Sequence, residues 1–128
     1  MFYAGITKIL NPQGFSAAFY LKDAKTFHGF YQAMLQPDIL PFINFVNEWG
    51  LTLLGVSLIL GVFVRISAPL GAVLMLLYYF PILNGLYPNA HALIVDEHII
   101  YAVALLILAA YNAGAVWGLG SRVKRWMQ

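Results

Sequence analysis

The chain has 128 residues, of which 62% are hydrophobic, 16% aromatic and only 9% charged, against roughly 25% charged in an ordinary soluble domain. Too few polar side chains are present to cover a soluble surface, so the composition predicts an integral membrane protein whose outer surface contacts membrane lipid. The small net charge of +2 argues against nucleic acid as a partner, and the absence of cysteine excludes disulfides and cysteine-ligated metals.

Long apolar segments predict a single all-α membrane domain. A hydrocarbon core requires about 20 apolar residues per helix, and three segments have that length: 42–64, 66–86 and 98–119. Residues 1–10 are also apolar, but a helix over them would extend only ~15 Å. They are either a half-helix or the end of a helix that begins upstream of Met1, and we favour the second. We therefore expect an integral membrane helical bundle of the four-helix type with a short or truncated first helix.

The connection 11–41 contains a pattern typical of a helix that lies at the membrane surface. Phe27, Phe30, Tyr31 and Met34 recur at helical spacing, with polar residues between them. We expect an amphipathic helix there, with residues 14–36 helical in part and outside the main bundle.

The positions of the basic residues predict the orientation of the bundle, because short cytoplasmic loops and tails retain Lys and Arg. Arg65 and the basic tail 120–128 mark the same side, which we assign to the cytoplasm. The connections 11–41 and 87–97 then face outward, where Lys22 and Lys25 are exceptions to the rule.

Polar side chains are expected at one depth near the outer surface. Glu48 lies about six residues, or ~9 Å, beyond Phe42 in the first long segment. The second segment carries Tyr78 and Tyr79 to the same depth. The third begins with the cluster Asp96, Glu97 and His98, followed one turn deeper by Tyr101. An ionisable residue inside a span is costly enough to be a functional candidate, so we expect Glu48 to face the interior, paired with Tyr79, His98 or Tyr101.

Several of these residues also have purely structural explanations. Asp96 is well placed as the N-cap of its helix, and Glu97 suits the first turn because of the helix dipole. His98 and His91 could lie among lipid headgroups, Trp49 could be an interface anchor, and the tyrosines could belong to an aromatic belt. Glu48 has no such explanation, since no helix end requires it.

Three stretches of the sequence resemble the DoxX/DoxD family of membrane proteins: AGITKILNP, EWGLTLLGVSLILGVFVR and DEHIIYAVALLILAAYNAGAVWGLG. In that family a Gly and a Lys end the first helix, an acid opens the second, an Arg follows its exit, and an acidic-His cluster starts the fourth. The amino end departs from the pattern, because the family has a full first helix.

The resemblance implies a four-helix bundle in a prokaryotic plasma membrane, with both termini cytoplasmic. DoxD-like members are the small subunit of thiosulfate:quinone oxidoreductase, which oxidises thiosulfate to tetrathionate and reduces membrane quinone. On this hypothesis quinone is the electron acceptor, and catalytic proton transfer falls to Glu48, His98 and Glu97.

Quinone binding would fall to Tyr79, Tyr101 and Trp49, and attraction of the thiosulfate anion to Lys22, Lys25, His28 and His91. The sequence shows no metal, haem or flavin motif. An electron carrier would therefore come from the quinone itself or from a partner, either a second protein subunit or another copy in a homo-oligomer.

Two other functions are compatible with the sequence. A non-catalytic membrane anchor or assembly subunit of a redox complex would need only helix packing and the basic tail. A small proton-coupled exporter would use one intramembrane Glu, but here the Glu lies in the first long segment beside further acids, so this alternative is less favoured.

Overall fold

The computed structural model describes residues 1–116 and 118–119, and the predicted basic tail lies outside them. Within the described residues the secondary structure is helical, with two isolated β-bridges in a loop and no strand. The all-α prediction is therefore confirmed for this part of the chain. The helices are α1 Phe2–Ile9, α2 Ala18–Lys22, α3 His28–Ala33, α4 Leu40–Phe45, α5 Leu51–Leu60, α6 Val64–Ile82, α7 Glu97–Ala110 and α8 Ala113–Val116.

Among the described residues, two helical stretches are long and apolar enough to cross a membrane. The first is Leu40–Leu60, in which a π-helical turn at Val46–Gly50 joins α4 to α5. The second is α6, which covers Val64–Ile82 and ends where Leu83 becomes extended.

The third predicted span, 98–119, is not one helix. α7 ends at Ala110 after 14 residues, which corresponds to only ~21 Å at 1.5 Å per residue. Asn112 has a φ of 48°, a left-handed conformation that asparagine tolerates better than most residues. The prediction of an uninterrupted helix is wrong, because a helix break at a single left-handed residue is invisible to hydropathy.

α1 packs antiparallel to α5 through two close contacts at glycine. A Cβ atom added to Gly5 would lie 2.3 Å from Thr52 Oγ1, and one added to Gly55 would lie 2.3 Å from the Phe2 backbone nitrogen. Only glycine allows the two backbones to approach this closely. The register brings Lys8, near the end of α1, beside the π turn.

α6 packs between α5 and α7 and forms the main apolar core with them. The buried residues of this core are Leu51, Val64, Ala68, Ala72, Leu74, Met75, Ala102 and Leu105. Met1 packs against the same core and places its side chain next to Gly71 and Leu105.

The segment with α2 and α3 covers one end of α6 with a second apolar cluster. Ala17, Leu21, Ala24 and Tyr31 are buried there. Residues 14–36 are thus helical in part. Tyr31 is 2% exposed, whereas Phe27 and Phe30 are 62% and 53% exposed, so the aromatic positions of the predicted amphipathic helix do not share one buried face.

Candidate functional site

The π turn determines which polar side chain of the first long helix points inward. Asn47 is buried within it, and its Nδ2 donates to the Ile43 carbonyl at 2.9 Å. On the next turn, Thr52 Oγ1 donates to the Glu48 carbonyl at 2.7 Å. Single π turns inside α-helices often occur at functional sites, and this one turns Asn47 toward α1 and α6.

Asn47 Oδ1 is the meeting point of three structural elements. It accepts hydrogen bonds from the Tyr78 hydroxyl of α6 and from Lys8 Nζ of α1, the latter at 3.4 Å. The Lys8 ammonium also lies 4.2 Å from the ring centroid of Phe15, a favourable cation–π position. Lys8, Asn47 and Tyr78 therefore form one connected polar row inside an apolar region.

A histidine oriented by a buried carboxylate extends this row at the start of α7. Asp96 Oδ1 accepts from the backbone N–H groups of His98 and Ile99 at 3.0 and 3.3 Å, so Asp96 is the N-cap of α7. Its Oδ2 lies 2.8 Å from His98 Nδ1. Since a carboxylate accepts, we place a proton on Nδ1, which leaves Nε2 for a ligand.

The accessibility of this pair differs between its two members. The Asp96 side chain is completely buried, whereas that of His98 is 23% exposed. The His98 ring packs edge-on against Tyr78, with ring centroids 6.3 Å apart. Asp96 can therefore act only through His98, which is the member that a ligand can reach.

A cavity of about 570 Å³ lies over the polar row, between α2 and the ends of α1, α4, α6 and α7. Its volume is in the range of sites for small organic molecules. Most of the wall is apolar, and the residues that supply it include Phe15, Phe19, Leu21, Met34, Ile43, Leu74, Leu77 and Pro81. The polar row contributes Lys8, Asn47, Tyr78 and His98, and the wall also includes Tyr20, Tyr31, Asp23 and Lys25.

Glu48 does not occupy the position predicted for it. It is half-buried, it is not among the residues of the cavity wall, and no described side chain lies within hydrogen-bonding or ion-pair distance of its carboxylate. It is nevertheless close enough to act on the Lys8 ammonium by its charge. The predicted pairing of Glu48 with Tyr79, His98 or Tyr101 is therefore wrong, because the π turn points the neighbouring Asn47 inward instead.

The predicted quinone-binding aromatics also lie outside the cavity. Tyr79 is buried, but its hydroxyl donates to the Ile94 carbonyl at 2.5 Å and so fixes the loop between α6 and α7. Tyr101 is 57% exposed on α7. Trp49 is exposed and lies 6.5 Å from the Phe45 ring. None of the three is positioned to orient a ligand in this cavity.

Of the predicted anion-binding residues, Lys25 alone lines the cavity. Lys22, His28 and His91 are exposed and do not contribute to its wall. The nearest polar neighbour of the His28 ring is Gln32, whose Nε2 lies 3.2 Å from His28 Nε2. Glu97 is exposed on the first turn of α7.

Asp96, Glu97 and His98 each offer a possible metal ligand, and these atoms lie within 4.8 Å of one another. Both oxygens of Asp96 are already engaged, one by two backbone N–H groups and the other by His98. The arrangement is that of a helix cap that also orients an imidazole.

Sequence reasoning missed Lys8 and Asn47 as site residues. It placed Tyr78 in the polar layer near the outer surface, with an aromatic belt as the alternative explanation, but did not assign it to the site. Lys8 carried a usable signal, since it is the single charged residue in the apolar segment 1–10. Nothing in the sequence distinguishes Asn47 from the other asparagine and glutamine residues as a site residue.

Comparison of the chain with models of protein families, with curated proteins and with solved structures found no match. The choice among functions therefore depends on the geometry of the cavity and the chemistry of its polar row.

Proposed function

We propose that the protein is an integral membrane bundle of the DoxX type, in which α1, α4–α5, α6 and α7 are four antiparallel helices. Two of them have the length and composition of membrane spans. Their outer faces support this proposal, because Leu53, Ile59 and Leu70 are 60%, 71% and 56% exposed. Large apolar side chains in such numbers suit contact with lipid. In this proposal the bundle lies in a prokaryotic plasma membrane with its C-terminus in the cytoplasm.

Within this bundle, we infer that the cavity binds a membrane quinone and that the protein is the membrane subunit of a quinone-linked oxidoreductase. The observation that carries this inference is the polar row Lys8, Asn47, Tyr78 and His98 along an otherwise apolar cavity. A quinone has an apolar ring and tail and carbonyl oxygens that accept hydrogen bonds. Lys8 and His98 supply donors, and the apolar wall suits the ring.

His98 and Asp96 provide the means to transfer a proton in this site. Reduction of a quinone requires two electrons and two protons, and a positioned imidazole is a common general acid. The buried Asp96 carboxylate holds Nδ1 and fixes the orientation of the ring, so that the imidazolium can donate from Nε2 toward the cavity. Tyr78, whose hydroxyl donates to Asn47, positions the imidazole by packing its ring against that of His98. The electrons come from a donor bound by this chain or by a partner subunit.

Thiosulfate is the donor that the family resemblance suggests, with tetrathionate as its product. The cavity gives less support to this part of the proposal, because Lys25 in its wall is accompanied by Asp23, and a carboxylate repels a dianion. Quinone binding is therefore the better supported half of the reaction.

Replacing two residues of the polar row, Tyr78 and His98, tests this function. In a complex purified with the products of neighbouring genes, we expect Tyr78→Phe and His98→Gln to slow thiosulfate-dependent reduction of a short-chain quinone analogue. The loss for His98→Gln should be about 10²-fold to 10⁴-fold, as is usual when a general acid is removed. Tyr101→Phe and His91→Gln are matched controls outside the cavity and should retain the wild-type rate.

The same experiment separates the alternative functions. Wild-type turnover in both cavity variants would contradict the proton-transfer role. Loss of complex assembly with an unchanged rate per assembled complex would instead indicate an anchor or assembly subunit.

A further inference from the structure

Lys8 has fewer partners than a partly buried ammonium requires. It is half-buried, and its one hydrogen bond to a described side chain is the long 3.4 Å contact with Asn47 Oδ1, an oxygen that it shares with Tyr78. An ammonium group has three N–H donors. Within the described residues, no carboxylate lies within ion-pair distance of Lys8 Nζ.

The other neighbours of Lys8 attract the charge without neutralising it. The Phe15 and Tyr78 ring centroids lie 4.2 and 5.4 Å from Nζ, and Glu48 acts on the ammonium only from beyond contact distance. Removing a charge from water is costly unless the charge is paired. Lys8 lines the cavity, and its ammonium lies against Asn47 of the same wall, so a ligand there can supply the missing partner.

We propose that the cavity selects lipophilic molecules whose head carries a negatively charged oxygen, and that Lys8 is the residue that binds this oxygen. The apolar wall accepts the hydrocarbon part, and the ammonium pairs with the charged head. A carboxylate and an ionised phenol share this chemistry. The inference rests on the proposed function only in placing a lipophilic ligand in the cavity.

Binding of non-redox probes tests the preference separately from quinone reduction. The protein in nanodiscs of zwitterionic lipid is titrated with dodecanoate, with dodecan-1-ol and with a dodecyl-substituted nitrophenol, and binding to empty nanodiscs is subtracted. We expect the wild-type protein to bind dodecanoate about tenfold to 100-fold more tightly than dodecan-1-ol, the range typical of a charge-assisted hydrogen bond. Equal affinities in the wild-type protein would overturn the proposal without any variant.

Variants then assign the preference to Lys8. Lys8→Met should remove it and Lys8→Arg should retain it, while Lys22→Met, an exposed lysine outside the cavity, should leave it unchanged. A preference that survives in folded Lys8→Met and disappears in Lys25→Met would overturn the assignment. If Lys8→Met does not fold, a preference lost in folded Lys8→Arg would also count against it, because that variant keeps the positive charge.

The nitrophenol provides a spectroscopic readout that a purely structural role of Lys8 would not change. Its absorbance reports ionisation, and a nearby ammonium favours the ionised form. We expect the bound probe to ionise at lower pH in the wild-type protein than in Lys8→Met, and identical titrations would contradict the proposal. Selective binding of dodecanoate with no quinone reduction would refute the quinone function alone. Quinone reduction with no preference for anionic probes would refute the role of Lys8 alone.

Discussion

At the scale of single residues, Asn47 joins the parts of the site more directly than any charged group does. Its Oδ1 accepts from Lys8 and Tyr78, and its Nδ2 donates to the Ile43 carbonyl. One amide side chain thus links α1, the π turn and α6. A carboxylate would keep the acceptor and lose the donor, and a leucine would lose both.

We expect Asn47→Leu to lower the free energy of unfolding by about 1–3 kcal/mol, because it leaves the Tyr78 hydroxyl and the Lys8 ammonium without their shared acceptor. Adding Tyr78→Phe should recover part of the loss, since the phenol then no longer needs a partner. Unfolding in detergent micelles measures both. Glu48→Gln is the adjacent control and should change stability by less than about 0.5 kcal/mol. A larger loss for Glu48→Gln than for Asn47→Leu would reverse our assignment.

The sequence alone does not show which of the neighbours Asn47 and Glu48 points into the site. Consecutive residues of a helix point about 100° apart, and the deciding feature is a π turn that apolar periodicity does not reveal. The sequence analysis favoured Glu48 as the site residue, because a carboxylate inside a membrane span is costly and is therefore a functional candidate. The start of α7 was more predictable, because Asp96 followed by Glu97 has the residue preferences of a helix N-terminus.

At the scale of helices, the α2–α3 segment completes the hydrogen bonding of α6. Pro81 has no backbone N–H, so it cannot donate to the Leu77 carbonyl four residues earlier. The Tyr31 hydroxyl donates to that carbonyl instead, at 3.1 Å. Nearby, the Lys25 backbone N–H donates to the Pro81 carbonyl at 3.0 Å, and Thr26 Oγ1 donates to the Leu83 carbonyl at 2.6 Å. The connection 11–41 is thereby fixed over the cavity.

This arrangement predicts a coupling between Tyr31 and Pro81. Tyr31→Phe should destabilise the fold by about 1–3 kcal/mol, because the Leu77 carbonyl loses its donor. In a Pro81→Ala background the alanine N–H can serve that carbonyl, so the same substitution should cost clearly less. Thermal unfolding of the four proteins measures the coupling, with Tyr111→Phe, at a 79% exposed position, as the control. Equal costs of Tyr31→Phe in both backgrounds would contradict the role of Pro81.

The Tyr31 hydrogen bond also depends on pH. Burial raises the pKa of the Tyr31 phenol above its ordinary value. Its contribution to stability is therefore fully present below the ordinary pKa of about 10 and is lost as the pH rises through the raised value.

The third apolar segment shows what hydropathy leaves undetermined. Residues 98–119 are apolar enough for one long helix, yet α7 ends at Ala110, Asn112 is left-handed, and the chain continues as the short helix α8. The Leu119 backbone N–H then donates to the Leu60 carbonyl at 2.9 Å. The segment after α7 therefore contacts the turn between α5 and α6. The composition of residues 98–119 does not indicate that α7 ends before this contact.

At the scale of the whole molecule, the polar side chains of the cavity come together at one end of the packed helices that the structure describes. Lys8 near the end of α1, Asn47 in the π turn, Tyr78 late in α6 and His98 at the start of α7 meet there because neighbouring helices run in opposite directions. Farther from the cavity, the helices pack through small and apolar residues such as Ala68 and Ala72. In the orientation proposed above, a ligand therefore reaches the cavity from the outer leaflet or the outer surface.

Cysteine labelling tests this orientation, and the chain suits it because it contains no native cysteine. Ala90 is exposed in the loop beside the cavity, and Phe63 is 59% exposed in the turn next to Arg65 at the opposite end. Since basic residues remain in the cytoplasm, a membrane-impermeant maleimide should label Ala90→Cys in intact cells and Phe63→Cys only after the membrane is opened. The reverse pattern would place the cavity at the cytoplasmic face and make Lys22 and Lys25, rather than Arg65, the residues that set the topology. Recovery of the protein in the soluble fraction would contradict the membrane bundle itself.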